Sequence, residues 1–152
     1  MKTLETYIKE GLLNSDISKV TAEGIIAEFW KLASDFGRGG SIRRDKESLE
    51  RFVNLLPGLA VWAADNAVKL TDKNAWGIAI GEEQMAIIGD YNIYEFPIEG
   101  GKMKYSCSNA DWYLGTPHVT SRDEVKKKFA STYEEQDCQV FWVDKKLVRL
   151  FK

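Results

Sequence analysis

Histidine, cysteine and proline are scarce in this chain, with one, two and three residues among 152. His118, Cys107 and Cys138 together cannot supply the spaced four-ligand sets that hold structural zinc, so neither a metal nor a cofactor is expected. Two thiols are also too few for a disulfide framework and are read as free. No stretch approaches the roughly 18 consecutive apolar residues that cross a bilayer. The opening MKTLETYIKE has an acid at its fifth position and lacks the apolar centre of a secretory leader. An excess of one charge is missing too. The 21 basic residues stand against 23 acidic ones, a net charge of -2, which gives no overall field to draw the molecule onto nucleic acid or an anionic membrane. These absences point to a cytoplasmic protein without membrane contact, for which nucleic acid is not an expected partner.

What is present is the composition of a globular domain, 44% hydrophobic and 29% charged with five tryptophans. A chain of this length can bury roughly two-thirds of its unfolded surface without a metal or a bridge. It is read as a single domain over 1–152, mainly helical through 1–70 and mainly antiparallel sheet through 71–152, with a helix near 121–133.

Apolar residues at Leu4, Tyr7, Ile8 and Leu12 recur at three and four, the spacing of a short amphipathic helix ending near Asn14. A firmer stripe runs through Ile25, Phe29, Leu32 and Phe36 beside Ile26, Trp30 and Ala33, with Gly37 placed to stop it. A third helix is expected to start at Asp45, to bury Leu49, Phe52, Val53 and Leu56, and to be interrupted by Pro57. Residues 59–70 are read as a further helix, with a hairpin turned at Asp65 and Asn66 as the alternative.

After Thr71 the period changes to two. Trp76, Ile78 and Ile80 share one face of a strand, opposite the small Ala75, Gly77 and Ala79, and QMAIIGD follows as its hairpin partner. YNIYEFPI and KMKYSC flank a glycine turn and predict two more strands, with Pro97 expected at an edge or a strand end. CQVFWVD and LVRLF are read as a last hairpin. TSRDEVKKKFASTY is read as a helix with Thr120 and Asp123 at capping-box spacing. The fold class that results is α+β, with N-terminal helices packed on one face of an antiparallel sheet of about five to six strands and one later helix.

Two stretches could carry function. DFGRGGSIRRDK follows a helix rather than a strand and has no Lys-Ser or Lys-Thr pair, so it is not a nucleotide-binding phosphate loop. It reads as a helix stop, a mobile connection and a helix start, on which Arg38, Arg43 and Arg44 could recognise carboxylates or phosphates of a partner. CSNADWYLGTPH offers Trp112 and Tyr113 on a loop, aromatic residues of the kind that anchor protein interfaces. The same stretch holds Cys107, Asp111 and His118, the parts in kind of a small Cys/His-dependent hydrolase or transferase. Against that chemistry, Cys107 falls in phase with Met103 and Tyr105 and is expected to point into the core. Cys138 falls in phase with Val140 and Trp142 in the same way. The lysine run at Lys126, Lys127 and Lys128 reads as a solvated helix face.

MKTLETYIKEGLL resembles the starts of some small phage and prophage proteins, which implies an accessory role. Because no catalytic set is recognisable in a well-patterned fold, the expectation is a non-enzymatic protein-binding domain that inhibits or modulates another protein, of the toxin-immunity or phage-inhibitor kind. Its contacts would be Arg38, Arg43, Arg44, Trp112 and Tyr113. The alternatives are the Cys107–His118–Asp111 enzyme and, third, a weak nucleic-acid binder using Arg43, Arg44 and the lysine helix.

Overall fold

The computed structural model describes residues 19–36, 41–43, 45–100, 102–115 and 121–149. The expected amphipathic segment at Leu4 to Leu12 and the helix stop at Gly37 lie outside them. In chain order the described elements are α1 (Lys19–Phe36), β1 (Ser41–Arg43), α2 (Lys46–Asp65), β2 (Ala75–Ile80), β3 (Gln84–Ile88), β4 (Asn92–Glu99), β5 (Lys102–Lys104), β6 (Ser106–Asn109), α3 (Ala110–Tyr113), α4 (Arg122–Glu134), β7 (Gln139–Asp144) and α5 (Lys145–Arg149). The expected α+β fold is the observed one.

All the described strand pairs are antiparallel, in the order β1-β5-β4-β3-β2-β7, and β6 also pairs with β4. β5 and β6 keep one register against β4, with Met103 opposite Ile98 and Cys107 opposite Tyr94, so they are halves of a single strand and the sheet has six positions. The ladder breaks between them where Pro97, which has no N–H to donate, stands opposite Lys104. Pro97 therefore does not mark a sheet edge as the sequence suggests. β4 is an inner strand, and the proline is accommodated by splitting its neighbour into two short ladders.

Strict alternation sends side chains to two cores. Trp76, Ile78, Ile80, Met85, Ile87, Tyr94, Phe96, Met103 and Tyr105 join the buried stripes of α1 and α2 on one face. Ala79, Ala86, Ile88 and Ile93 face the other way and pack with Val125, Phe129 and Tyr133 of α4. The later helix thus covers the face opposite the N-terminal pair, and β2 is buried along its whole length. Small residues on this second face let α4 lie close. At Gly77 the space is filled by the cross-strand neighbours: a Cβ there would stand 2.7 Å from the Trp142 ring and 2.8 Å from the Ile88 side chain. Gly77→Ala is expected to cost about 1–3 kcal/mol through overpacking, measurable as a lower denaturant midpoint. A variant within about 0.5 kcal/mol of the native chain, the usual range of a neutral surface change, would show that this approach is not tight.

α1 docks through an aromatic chain. The Phe29 and Phe96 rings meet edge to face at 4.7 Å, Trp30 and Tyr94 do so at 5.0 Å, and the Trp30 indole N–H donates to the Val148 carbonyl at 2.6 Å. That last bond belongs to α5, where the sequence suggests the second strand of a hairpin. Residues 145–149 are helical instead, because Val148 is buried under α1 and the Asp144 carboxylate accepts from the Lys146 N–H at 2.9 Å in the first turn.

α2 starts as expected, with the Asp45 side chain accepting from the Ser48 N–H at 2.9 Å. It then runs through Pro57 rather than ending there. An internal proline costs a helix about 3 kcal/mol. Burial of Leu56, Leu59, Ala60, Trp62 and Ala63 around it outweighs this, at roughly 1.5–3 kcal/mol for each large side chain. The helix stops at Asp65, so only the first part of 59–70 is helical. The chain beyond turns to cover β7: Ala67 bridges to Val143, and the Val68 N–H donates to the Trp142 carbonyl at 2.8 Å. One sheet edge is closed by this short segment.

α4 begins at Ser121, which makes no side-chain cap, so Asp123 does not serve a capping box; Thr120 lies outside the described residues. Lys126 is not on a solvated face. It is buried, and its ammonium donates to the Leu70 and Asp72 carbonyls at 3.1 and 3.3 Å, stapling the α2–β2 connection to α4. Burial lowers its pKa, partly opposed by Asp123. Lys127 and Lys128 remain exposed. No helix among the described residues is long and apolar enough to cross a membrane.

Candidate interaction surface

The β3–β4 connection and α3 meet at one end of the sheet. The connection is a tight turn in which the Gly89 N–H donates to the Asn92 carbonyl at 2.8 Å, and its Asp90 side chain is held by the Trp76 indole N–H, which donates to the carboxylate at 2.9 Å. The Ala110 N–H donates to the Tyr91 carbonyl at 2.8 Å, joining the start of α3 directly to the turn. Asn109 caps α3, its side-chain oxygen accepting from the Asp111 and Trp112 N–H groups at 3.1 and 3.4 Å. Arg122, at the start of α4, donates to the Gly89 carbonyl. Three elements are thereby fixed together around a backbone turn.

The side chains of α3 divide between outside and inside. Trp112 is 75% exposed, and Tyr91 on the adjoining turn is 77% exposed; among the described residues these are the exposed large hydrophobic side chains. Tyr113 turns inward. Its hydroxyl donates to the Glu95 carboxylate, which also accepts from Ser106 at 2.9 Å and from Tyr133 at 2.6 Å. Glu95 lies in β4 on the α4 face and gathers β6, α3 and α4 at one point. Burial, then the hydrogen bond and charge of Glu95, push the Tyr113 hydroxyl up to about 12; burial pushes that of Tyr133 further in the same direction. Both tyrosines are therefore held as neutral donors.

Tyr91 stands between two recesses. One, of about 170 Å³, is lined by Asp90, Asn109, Asp111, Ser121, Arg122 and Val125 as well as Tyr91 itself. The other, of about 240 Å³, includes Trp76, Asp90, Asn92, Tyr94 and Arg149. Burial lowers the Arg122 pKa, while the charges of Asp111 and Asp90 oppose that shift. A larger cleft of about 320 Å³ lies between α1 and α2, walled by Ile25, Leu32, Leu49, Phe52 and Met103 with Glu28, Ser48 and Arg51 among its lining residues. It is mostly a seam in the packing of two helices and contains none of the candidate residues.

Among the contacts expected from sequence, Arg43 and Trp112 stand apart. Arg43 stands in β1 opposite Lys102, whereas Trp112 follows Asn109 at the far end of the same composite strand. Seven residues of strand, about 23 Å at 3.3 Å per residue, separate the two. Residues 41–43 form an outer strand on β5 rather than part of a mobile connection. Arg38 and Arg44 lie outside the described residues. Trp112 faces out, and Tyr113 is a structural latch as much as a surface group.

For the enzyme alternative, Cys107 is half-buried against the α1–α2 core, while Asp111 lines the recess on the α4 side, so the sheet lies between them. His118 lies outside the described residues. Cys138 is buried in the second core, and burial raises its thiol to about 12. Among the described residues no cluster of three His, Cys, Asp or Glu could hold a metal ion.

No protein-family model, curated protein or solved structure matches the chain. Function therefore has to be argued from the surface itself.

Sequence reasoning missed Tyr91, Glu95, Arg122 and Lys126. Tyr91 had a visible signal, an aromatic within the turn-forming GDYN. Glu95 had a weaker one, a charge at an inward-facing position of an alternating strand. Arg122 and Lys126 had none, because only the packing of α4 decides that their stems run inward.

Proposed function

We propose that this chain is a protein-binding domain that acts by inhibiting or modulating a partner, and that it engages that partner through Tyr91 and Trp112. The observation that carries the reading is the exposure of these two rings on neighbouring segments that the Ala110 N–H to Tyr91 carbonyl hydrogen bond joins. Large aromatics that stay in water on a hydrogen-bonded scaffold lose little conformational entropy on binding and bury much area, the profile of interface hot spots. The flanking Asp90, Asp111 and Arg122 would supply the polar rim such sites have. An enzyme of the Cys107 type draws no comparable support, since Cys107 and Asp111 point to opposite faces. Arg43, toward the other end of the composite strand, would form at most a second contact.

The experiment is affinity capture of the full chain from its native cell alongside Tyr91→Ala/Trp112→Ala. Loss of two hot-spot aromatics should weaken retention of the partner at least about thirtyfold. Both positions are exposed, so the melting temperature should be unchanged. A partner retained equally by the two proteins would place the interface elsewhere. Acrylamide quenching gives an independent check. Trp30, Trp62 and Trp76 are buried and Trp142 is partly covered, so most quenchable fluorescence should come from Trp112 and be lost when partner binds.

A further inference from the structure

We propose that the outer edge of β6 receives an extended segment of the partner protein, which adds to the sheet as a further antiparallel strand. The inference rests on the protein-binding reading above and adds the form of what is bound. Along β6, Asn109 faces Asn92, Ser108 faces Ile93, Cys107 faces Tyr94 and Ser106 faces Glu95. The bond from the Ala110 N–H to the Tyr91 carbonyl, one pair further on, sets the phase of this ladder. Antiparallel pairs alternate, so Ser106 and Ser108 exchange bonds with β4, while the backbone groups of Cys107 and Asn109 are directed away from it. The Asn109 carbonyl is taken by the first turn of α3, since Asn109 is its N-cap. The Cys107 N–H and carbonyl and the Asn109 N–H remain, and among the described residues no strand pairs with β6 on that side.

Elsewhere the sheet margin is covered. β1 lies against β5 from Lys102 to Lys104, and residues 67 and 68 lie against β7 at Val143 and Trp142. Open edges are usually guarded by a lysine, a proline or a bulge. Ser106–Asn109 carries neither residue, and its register against β4 is unbroken. Backbone N–H and C=O groups at strand spacing are matched by another extended backbone, whatever its side chains. A second copy of this chain does not fit the place. With β6 laid against β6, the copy's β5 in a parallel pairing, or its α3 in an antiparallel one, would run into the position beside β5 that β1 holds. A free extended segment has no such continuation and can turn away before β1. Trp112 lies on the helical turn that follows Asn109 directly, so a segment on this edge leads to the exposed indole.

The test uses the full chain labelled with nitrogen-15. Alone, its Cys107 and Asn109 amides should exchange with solvent at least about a hundredfold faster than those of Ser106 and Ser108. Acetylated and amidated Ser-Val-Thr-Val-Ser is then titrated beside a twin methylated on the peptide nitrogens of its central residues, which keeps the side chains and loses the donors. The first peptide should shift the Cys107 and Asn109 amide signals and slow their exchange. The twin should bind at least about tenfold more weakly. Cys107→Pro deletes the outward N–H and no bond to β4, and should weaken the first peptide by about tenfold. Cys107→Val keeps that N–H and should bind as the native chain does, with the melting temperature checking both folds. A Cys107 amide as slow as that of Ser108, no binding by the first peptide, equal binding of the two peptides, undiminished binding by Cys107→Pro or shifts confined to β7 would overturn the proposal. So would a concentration-dependent dimer that protects the same two amides, which would assign the edge to a second copy. Each of these outcomes leaves the protein-binding reading standing. That reading fails only if Tyr91→Ala/Trp112→Ala captures its partner as well as the native chain does.

Discussion

Replacing Glu95 by alanine should lower stability by about 3 kcal/mol, because it strips the acceptor from buried or half-buried hydroxyls, each worth roughly 1–3 kcal/mol when left unsatisfied. For a chain of this length that corresponds to a fall of roughly 6–12 °C in melting temperature. The cost arises from asymmetry. Ser106 can turn its hydroxyl toward water, but Tyr133 is fully buried, and its hydroxyl 2.6 Å from Glu95 would be left without this acceptor. Tyr133→Phe removes the donor along with the need for an acceptor, so it should cost less than Glu95→Ala. The double variant should cost clearly less than the sum of the two singles, as groups in direct contact do. Additive losses would mean that the carboxylate and the two tyrosines do not act as a unit. Function should suffer beyond stability. Tyr113 is the neighbour of Trp112 on a four-residue helix, and its hydroxyl ties that helix to β4. Releasing it should raise the mobility of the exposed indole and weaken partner binding at temperatures where Glu95→Ala is still folded.

Above about pH 8 stability should begin to fall, and it should fall steeply toward pH 12. Burial raises the Cys138 thiol from 9.0 to about 12, and raises the Tyr113 hydroxyl from 10.0 to about 12, with Tyr133 shifted in the same direction. In each case the native state keeps its proton to higher pH than the unfolded chain does. Between the two values the unfolded state releases protons that the native state holds, so rising pH favours unfolding. Below about pH 8 all three groups are protonated in both states and contribute no slope. A displacement the size of that at Cys138 is worth on the order of 4 kcal/mol at the top of the window. Urea midpoints measured from pH 7 to 12 test this. Cys138→Ala should remove the onset above about pH 8 and leave the later decline, which belongs to the tyrosines. A midpoint unchanged to pH 12 in the native chain would show that these groups are solvated in the fold. Slow alkylation of Cys138 in the native protein should accompany the pH effect, because a neutral, buried thiol is not a nucleophile.

Periodicity was enough to identify most of the architecture. The stripe at Ile25, Phe29 and Leu32 is the buried face of α1, and the alternation at Trp76, Ile78 and Ile80 is the inward face of β2. Both patterns are written by the demand that one side of an element leave water, a demand local enough to read in ten residues. The inward phase of both cysteines followed from the same logic. The failures occur where tertiary packing overrides a local preference. Pro57 ought to end a helix, but the core it sits in repays the missing hydrogen bond. LVRLF has the residues of a strand, but the space beneath α1 accepts a helical turn. Pro97 suits an edge, but the sheet continues past it by dividing its neighbour.

The candidate surface was only half legible for a related reason. Trp112 and Tyr113 are consecutive and chemically alike, yet one is in water and the other is hydrogen-bonded to a strand 18 residues earlier in the chain. No local rule separates them. Composition and spacing alone determined most of the helical and strand-forming segments and the near balance of charge, because these depend on residue type and short-range order. The folded chain alone decided that the Tyr91 turn is joined to the helix carrying Trp112, that Glu95 binds three hydroxyls, and that Arg122 and Lys126 run inward to backbone carbonyls. Each of these depends on contacts between residues far apart in sequence, whose meeting is set by how the sheet and its two helical layers pack.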